Sequence, residues 1–458
     1  MASVLRHRHF RNVWIAAFGS SIGTWMESVG VQWIMAEQTR SAGMAGWLAA
    51  AQFGPVLVLG LFAGVVADRA NRKRLLVVTQ GVMMAVAAML MLASWRGFAT
   101  PRVLIALGLC QGVASAFNIP AWQVLTPRLV PREELVKAIT LNGMQFNMAR
   151  VIGPMIAGYL LAMHGPTVLF VVNTLSFVGV MVAVSFTPRD DARDRAAGVR
   201  AQGWWGPIRE GVAWVVREPG PRAVFVGLIL YSVLAVPVIR FLPLLTKEAF
   251  HREERVYGWL VSLLGAGAVA GGFLLRSVPA WYPRHHLIPA SIALCGVALL
   301  GFSAAPLWAA YGMMFVVGVF WLWTFTSSLG AMQMLAPETM RGRVLSICNT
   351  ATFGATPVGT LLAGWLGAAA VDALRGPGAA SGADAGLAMR AAVGVPAAIM
   401  VAAGAVMLVW RVPEVDGIKP GDAGYDRRPG LWRGLTASGH RPRGAAAQVG
   451  ASAGEAAM

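Results

Sequence analysis

The sequence predicts an all-α membrane protein of twelve transmembrane helices in two related six-helix halves, and three observations carry this. Of 458 residues, 57 % are hydrophobic and only 13 % charged, about half the charged share of an ordinary soluble domain. The apolar residues come in long blocks such as 75–93 and 393–410, each close to the ~20 residues that cross ~30 Å of hydrocarbon. Segments of the second half also repeat those of the first at a constant offset. A soluble two- or three-domain chain would instead show amphipathic stripes.

Twelve apolar spans can be laid out, at about 12–36, 44–67, 75–95, 102–125, 138–163, 166–186, 222–246, 256–276, 287–305, 308–335, 344–368 and 388–410. Gly165-Pro166 and Pro306 mark two of the turns. The first stretch is too long for the apolar core of a signal peptide and reads as a spanning helix. Cys110, Cys295 and Cys348 are isolated in apolar segments, with no CxxC pair and no disulfide framework.

The net charge of +17 would suggest nucleic-acid binding in a soluble protein. Here the basic residues lie between the apolar blocks. With twelve spans, one set of loops plus both termini holds 28 Lys and Arg, and the opposite loops hold eight. The positive-inside rule then places both termini in the cytoplasm of a multi-pass protein. Nucleic acid is not an expected partner.

The domains expected from this layout are a cytoplasmic amino end (1–11), a six-helix bundle (12–186), a central cytoplasmic loop (187–221), a second bundle (222–410) and a basic tail (411–458). Residues 204–216 have helical spacing of apolar residues with charges between them, which suits a helix at headgroup level. The tail, rich in Gly, Ala, Pro and Arg, lacks an apolar face and is expected to be disordered.

A shift of 206 residues relates the halves. Pro131, Gly153, Gly158 and Leu160 fall on Pro337, Gly359, Gly364 and Leu366, while Gly112 falls on Gly318 and Phe117 on Trp323. A parallel repeat about an axis normal to the membrane is one way transporters build a central site.

Between the second and third spans lie Gly64, Asp68, Arg69, Arg72 and Lys73. A positive-inside loop accounts for the basic residues but not for the glycine–aspartate spacing. This arrangement resembles the signature loop of the major facilitator superfamily, G-x-x-x-D-R-x-x-R-R/K. The second copy is degenerate, with Gly271 and Arg276 kept but Leu275 in place of the aspartate. The resemblance implies an inner-gate role for the intact copy. Gly153, Pro154 and Gly158 in the fifth span remove side-chain bulk and one backbone donor. They look like the helix-bend motif of facilitator-family exporters, and a plain packing kink is the alternative.

Shorter stretches, including 23–26, Gln32-Trp33, 147–158 and 209–211, narrow the resemblance to the bacterial exporter branch of enterobactin exporters and macrolide-efflux proteins. Glu27 departs from that branch, where an uncharged glutamine is expected.

Three charges fall within spans: Glu27, Arg150 and Arg240. Each needs a partner or a wet cavity there. Glu27 and Arg150 lie at similar depth and are expected to face the interior and interact. Two roles stay open for them, a proton-exchanging site and a permanent structural ion pair. Arg240, between Pro237 and Pro243, is expected to snorkel to the interface. By the family's architecture Gln111, Phe117, Asn118, Trp321 and Trp323 are cavity candidates, with helix packing as the alternative for each.

The resemblance implies the major facilitator fold, with two pseudo-symmetric bundles. It also implies export of a small molecule, a siderophore or hydrophobic drug, by alternating access coupled to protons, in a protein working as a monomer. Uptake or lipid flipping on the same fold is the alternative within transport. A membrane-embedded enzyme or sensor is the alternative outside it. No paired carboxylates, nucleophile with base, metal spacing or Walker A loop supports an enzyme, and no cofactor is expected.

Overall fold

The computed structural model describes residues 3–69, 71–125, 129–131, 134–187, 205–279, 282–337, 340–375, 385–410 and 412–418. The longer helices are α1 (Arg8–Thr39), α2 (Ala42–Arg69), α3 (Arg72–Arg96), α4 (Pro101–Leu125), α5 (Leu135–His164), α6 (Thr167–Ser185) and α7 (Trp205–Arg217), then α8 (Pro219–Leu234), α9 (Val236–Glu248), α10 (Glu254–Ser277), α11 (Arg284–Ala304), α12 (Leu307–Leu335), α13 (Arg341–Arg375) and α14 (Ala385–Val409). With α8 and α9 counted as one segment, ten stretches among the described residues are long and apolar enough to cross a membrane. The expected spans within α1 and α13 are not among them. Both helices are long, 32 and 35 residues, but α1 carries Arg8, Arg11, Glu27 and Glu37, and α13 is rich in Thr and Gly.

The expected seventh span is broken at Ala235. Pro237 has no N–H to give the carbonyl of Val233, and the backbone tightens instead through Val238 N–H to Ala235 O at 3.2 Å. The amphipathic helix expected in the central loop is α7. Gly211 turns toward Ile347, and Arg343 Nη1 donates to Glu210 Oε2 at 3.1 Å, so α7 lies against the start of α13. Residues 412–418 of the tail expected to be disordered are ordered, and 419–458 lie outside the described residues. Residues Pro413–Asp416 form a 3-10 turn that buries Val415 against α8 and α11.

Helix packing repeats between the halves. In the first, α1 packs on α5 and α6, α2 on α4, and α3 on α4 and α6. In the second, the α8–α9 segment packs on α13 and α14, α10 on α12, and α11 on α12 and α14. The main contacts between halves, α5 with α10 and α2 with α13, are exchanged by the same correspondence.

Two glycine pairs from the 206-residue shift explain why the repeat shows in sequence. A Cβ on Gly112 would lie 2.6 Å from Gln52 O on α2, and one on Gly318 would lie 2.0 Å from Leu264 O on α10. A Cβ on Gly153 would lie 2.6 Å from the Trp25 Cβ, and one on Gly359 would lie 2.4 Å from Val233 O. Each glycine lets two helix backbones touch, which no other residue permits without displacement.

Candidate functional site

The buried polar groups gather where α1, α2, α4 and α6 meet and continue across to α9. Glu27 is 4 % exposed. Its Oε2 accepts a hydrogen bond of 2.6 Å from Asn173 Nδ2 on α6. Gly23, one turn earlier, makes room: a Cβ there would fall 2.6 Å from Asn173 Oδ1. Glu27 also lines a narrow cavity, without room for a water molecule in this state, with Gln52, Leu104, Leu107, Gly108 and Gln111. Neither polar atom of the Gln111 amide has a hydrogen-bond partner. Such an orphaned buried amide loses about 1–3 kcal/mol and suits a site that meets polar ligands or water in another state.

The expected pairing of Glu27 with Arg150 is corrected. Glu27 turns to Asn173, and Arg150 lies over the rings of Phe325 (4.2 Å) and Trp25 (5.8 Å). Trp25 faces α5, where its Cβ meets Gly153. Glu27 is two residues on, about 200° around the helix, so it points away from α5. Similar depth did not mean a shared face.

Arg240 does not snorkel either. It is 7 % exposed, and its Nη1 donates to Gln52 Oε1 at 3.4 Å. Its guanidinium lies 5.3 Å from the centre of the Phe53 ring. Gln52 thus touches the Glu27 cavity on one side and a cation from the other half on the other.

The remaining cavity candidates separate. Gln111 lines the cavity. Asn118 turns to α3, donating to Thr79 Oγ1 at 2.9 Å, and Phe117 packs edge-on to Phe62 of α2. Trp323 donates through Nε1 to Gly271 O at 2.8 Å, a helix-packing bond. Trp321 lies edge-on to Tyr231, 5.6 Å between centroids. Gln52, Asn173, Trp33 and Tyr257 were missed by sequence reading. Nothing separates a buried Gln or Asn from a packing residue until its neighbours are known.

Of the signature loop, Lys73 is described. Its Nζ donates to Ser185 O at 2.6 Å and Thr187 O at 2.9 Å, a cation on the carbonyl end of α6. The side chains of Gly64, Asp68, Arg69 and Arg72 lie outside the described residues. Asn71 caps α3 by accepting from Arg74 N–H at 2.9 Å. In the bend motif, Pro154 lies inside α5, Gly153 meets α1, and Gly158 meets α10.

At the face opposite the amino terminus the halves are closed against each other. Lys247 Nζ meets Glu37 Oε1 at 3.2 Å, and Arg40 Nε meets Glu248 Oε1 at 3.5 Å. Beneath these pairs Trp33 stacks on Tyr257 with centroids 5.2 Å apart. A Cβ on Gly158 would sit 2.2 Å from Gly258 O, so α5 and α10 are in backbone contact there. Ser262 Oγ donates to Met155 O at 2.9 Å in the same seam.

Repeated halves, a closed seam at one face and buried polar groups beside it define a membrane transporter of the major facilitator type. Residues 2–419 match the model of the transmembrane secretion effector family, and the chain belongs to that family. It is 25 % identical to a staphyloferrin A transporter of Staphylococcus aureus, over 74 % of this chain and 85 % of that one. It is 22 % identical to macrolide efflux protein A of Streptococcus pyogenes, over 77 % and 88 %. It is 24 % identical to the multidrug efflux pump Tap of Mycobacterium tuberculosis, over 76 % and 84 %. Among solved structures it shares its fold with a bacterial homolog of the human lysosomal transporter Spinster (TM-score 0.60, 15 % identity, 88 % of this chain and 94 % of that one). It also shares its fold with the nucleoside transporter NupG (TM-score 0.62, 11 % identity, 90 % and 100 %). The chain is a multi-pass transport protein for a small molecule, not an enzyme.

Proposed function

We propose that this protein exports a small molecule, a siderophore or hydrophobic drug, across the bacterial cytoplasmic membrane in exchange for protons. In this reading α1 and α13 span the bilayer with the ten more apolar segments, giving twelve spans. The charge count places both termini in the cytoplasm. The bundles are 12–186 and 222–410, and the working unit is a monomer. Residues 412–418 belong with the second bundle rather than the tail.

The observation that carries the reading is the Glu27 carboxylate, buried at the cavity between the polar groups of Asn173, Gln52 and Gln111. A carboxylate at that depth is costly unless it works or is permanently paired, and no cation lies within salt-bridge distance of it among the described residues. Alternation about the seam of Lys247, Glu37, Gly158 and Gly258 would expose the cavity to one face and then the other. Arg240, held by Gln52 across the halves, would report the state of that seam to the cavity. The signature loop, through Asp68 and Arg69, would lock the opposite face in the alternate state.

The test is reconstitution in proteoliposomes with an imposed pH gradient and a panel of siderophores and hydrophobic drugs. Wild type should move at least one of them against its gradient, and Glu27→Gln should lose the dependence on the pH gradient while still binding. Gradient-driven transport unchanged in Glu27→Gln would exclude the proton role. Movement only toward the protein's amino-terminal side would favour uptake.

A further inference from the structure

At the face that bears the amino terminus, the ends of α8, α11 and α14 enclose a groove of about 540 Å³. Its rim holds Arg222 near the start of α8, and Arg284 and His285 at the start of α11; its walls include Val226, Val406 and Trp410. Trp410 is 70 % exposed and Val406 61 % exposed. These apolar walls continue along α8 and α14 on the outside of the bundle, where acyl chains lie.

The charges at the rim are unbalanced. Asp416, at the start of α11, is fully engaged: Oδ1 accepts from Arg284 N–H at 2.8 Å, and Oδ2 accepts from His285 N–H at 3.3 Å. The His285 ring bonds the same carboxylate oxygen. Asp416 thereby caps α11, and the guanidinium groups of Arg222 and Arg284 have neither an ion pair nor a hydrogen bond among the described residues. Two free arginines over an apolar trough at the membrane boundary match a headgroup phosphate with acyl chains below it. The chain's own tail is a poor occupant, because residues 419–458 carry six Lys and Arg against three Asp and Glu.

We infer that this groove binds an anionic glycerophospholipid of the adjacent leaflet, with its phosphate between Arg222 and Arg284 and an acyl chain along Val226 and Val406. Such a lipid would pin the ends of three helices to one another and to the bilayer. The site requires only that the chain lie in a membrane, and is independent of transport direction.

The test uses the full chain purified in detergent, titrated with phosphatidylglycerol or with phosphatidylcholine of the same acyl chains. Bound lipid is read by native mass spectrometry and stability by thermal unfolding. Wild type should retain and be stabilised by phosphatidylglycerol, with little response to phosphatidylcholine. Arg222→Gln with Arg284→Gln should raise the half-saturating concentration on the order of tenfold. Arg8→Gln with Arg11→Gln, at the same face but away from the groove, should behave as wild type. Arg222→Gln alone, at an exposed rim residue, guards against misfolding of the double variant and should shift the titration by a smaller factor in the same direction. Equal response to both lipids, or an unchanged titration in the arginine variants, would overturn the site. Full stabilisation by soluble glycerol phosphate would make it a free-anion pocket and overturn the lipid assignment as well.

Discussion

Glu27 on α1 and Asn173 on α6 are joined by a 2.6 Å hydrogen bond in which the amide donates to the carboxylate. The bond depends on Gly23, whose missing side chain leaves room for the asparagine. It expects a particular double-mutant cycle in thermal stability. Glu27→Gln and Asn173→Leu should couple by at least about 0.5 kcal/mol, as groups in contact do. Glu27→Gln and Arg150→Gln should add within about 0.5 kcal/mol, since the two side chains face different neighbours. Strong coupling of the second pair alone would restore the ion pair expected from sequence. Asn173→Leu by itself should cost about 1–3 kcal/mol, the loss for a buried acceptor left unmet.

The backbone contact of Gly158 with Gly258 makes a second prediction. Alanine at either position places a Cβ within 2.2 Å of the facing carbonyl, so the closed seam has to separate. Overpacking of this kind costs about 1–3 kcal/mol, or roughly 5- to 150-fold in the ratio of closed to open states. A cysteine introduced at Val31, beside the cavity, reads this out through a membrane-impermeant maleimide applied from the Arg40 face. Labelling should rise in Gly158→Ala and Gly258→Ala. Labelling at wild-type rates in both would show that the seam does not govern access.

The pairs Lys247–Glu37 and Arg40–Glu248 lie above that seam. Glu37 and Arg40 are substantially exposed, so each pair contributes only about 0.2–1 kcal/mol. Lys247→Glu should raise labelling of the same cysteine by no more than about fivefold, and adding Glu37→Lys should return it toward wild type. The wild-type rate should also rise with salt, because added ions compete with and weaken exposed ion pairs. No recovery in the charge-swapped pair would mean that Lys247 acts through its place over the Trp33 ring and not through Glu37.

These three relationships differ in how far they were legible in the sequence. The repeat was legible because Gly112, Gly153, Gly318 and Gly359 mark the points where backbones touch, and only glycine fits. The spans were legible because lipid imposes length and apolarity on each alone, with α1 and α13 the exceptions that carry polar groups. Depth could be read from position, and it brought Glu27 and Arg150 to one level. Which face each side chain takes depends on helix rotation, set by packing partners distant in sequence. That is why Asn173, 146 residues away, went unseen as the partner of Glu27. Arg240 was misread for a related reason. A cation near a helix end normally reaches water, but Gln52 and Phe53 from the other half enclose this one.

Asp416 gives a pH-dependent prediction outside the membrane. Burial works against its charged form. The hydrogen bonds from the His285 ring and from the backbone N–H groups of Arg284 and His285 outweigh it, and its pKa is held below the ordinary carboxylate range. A depressed carboxylate pKa means that the unfolded chain binds the proton more readily than the folded one. The stabilisation is therefore present above the unfolded pKa, about 3.9, and is lost as pH falls through the folded value. Asp416→Ala should lower stability near neutral pH by about 0.5–2 kcal/mol, the usual loss of a helix cap. Wild type and variant should converge only in acid below about pH 4. Thermal unfolding of both proteins from pH 7 to pH 3 checks this. A difference that disappears between pH 7 and 5 would show that the Asp416 carboxylate does not carry the effect. Convergence in acid alone would leave the Asp416 carboxylate as the group that ties residues 413–416 to α11.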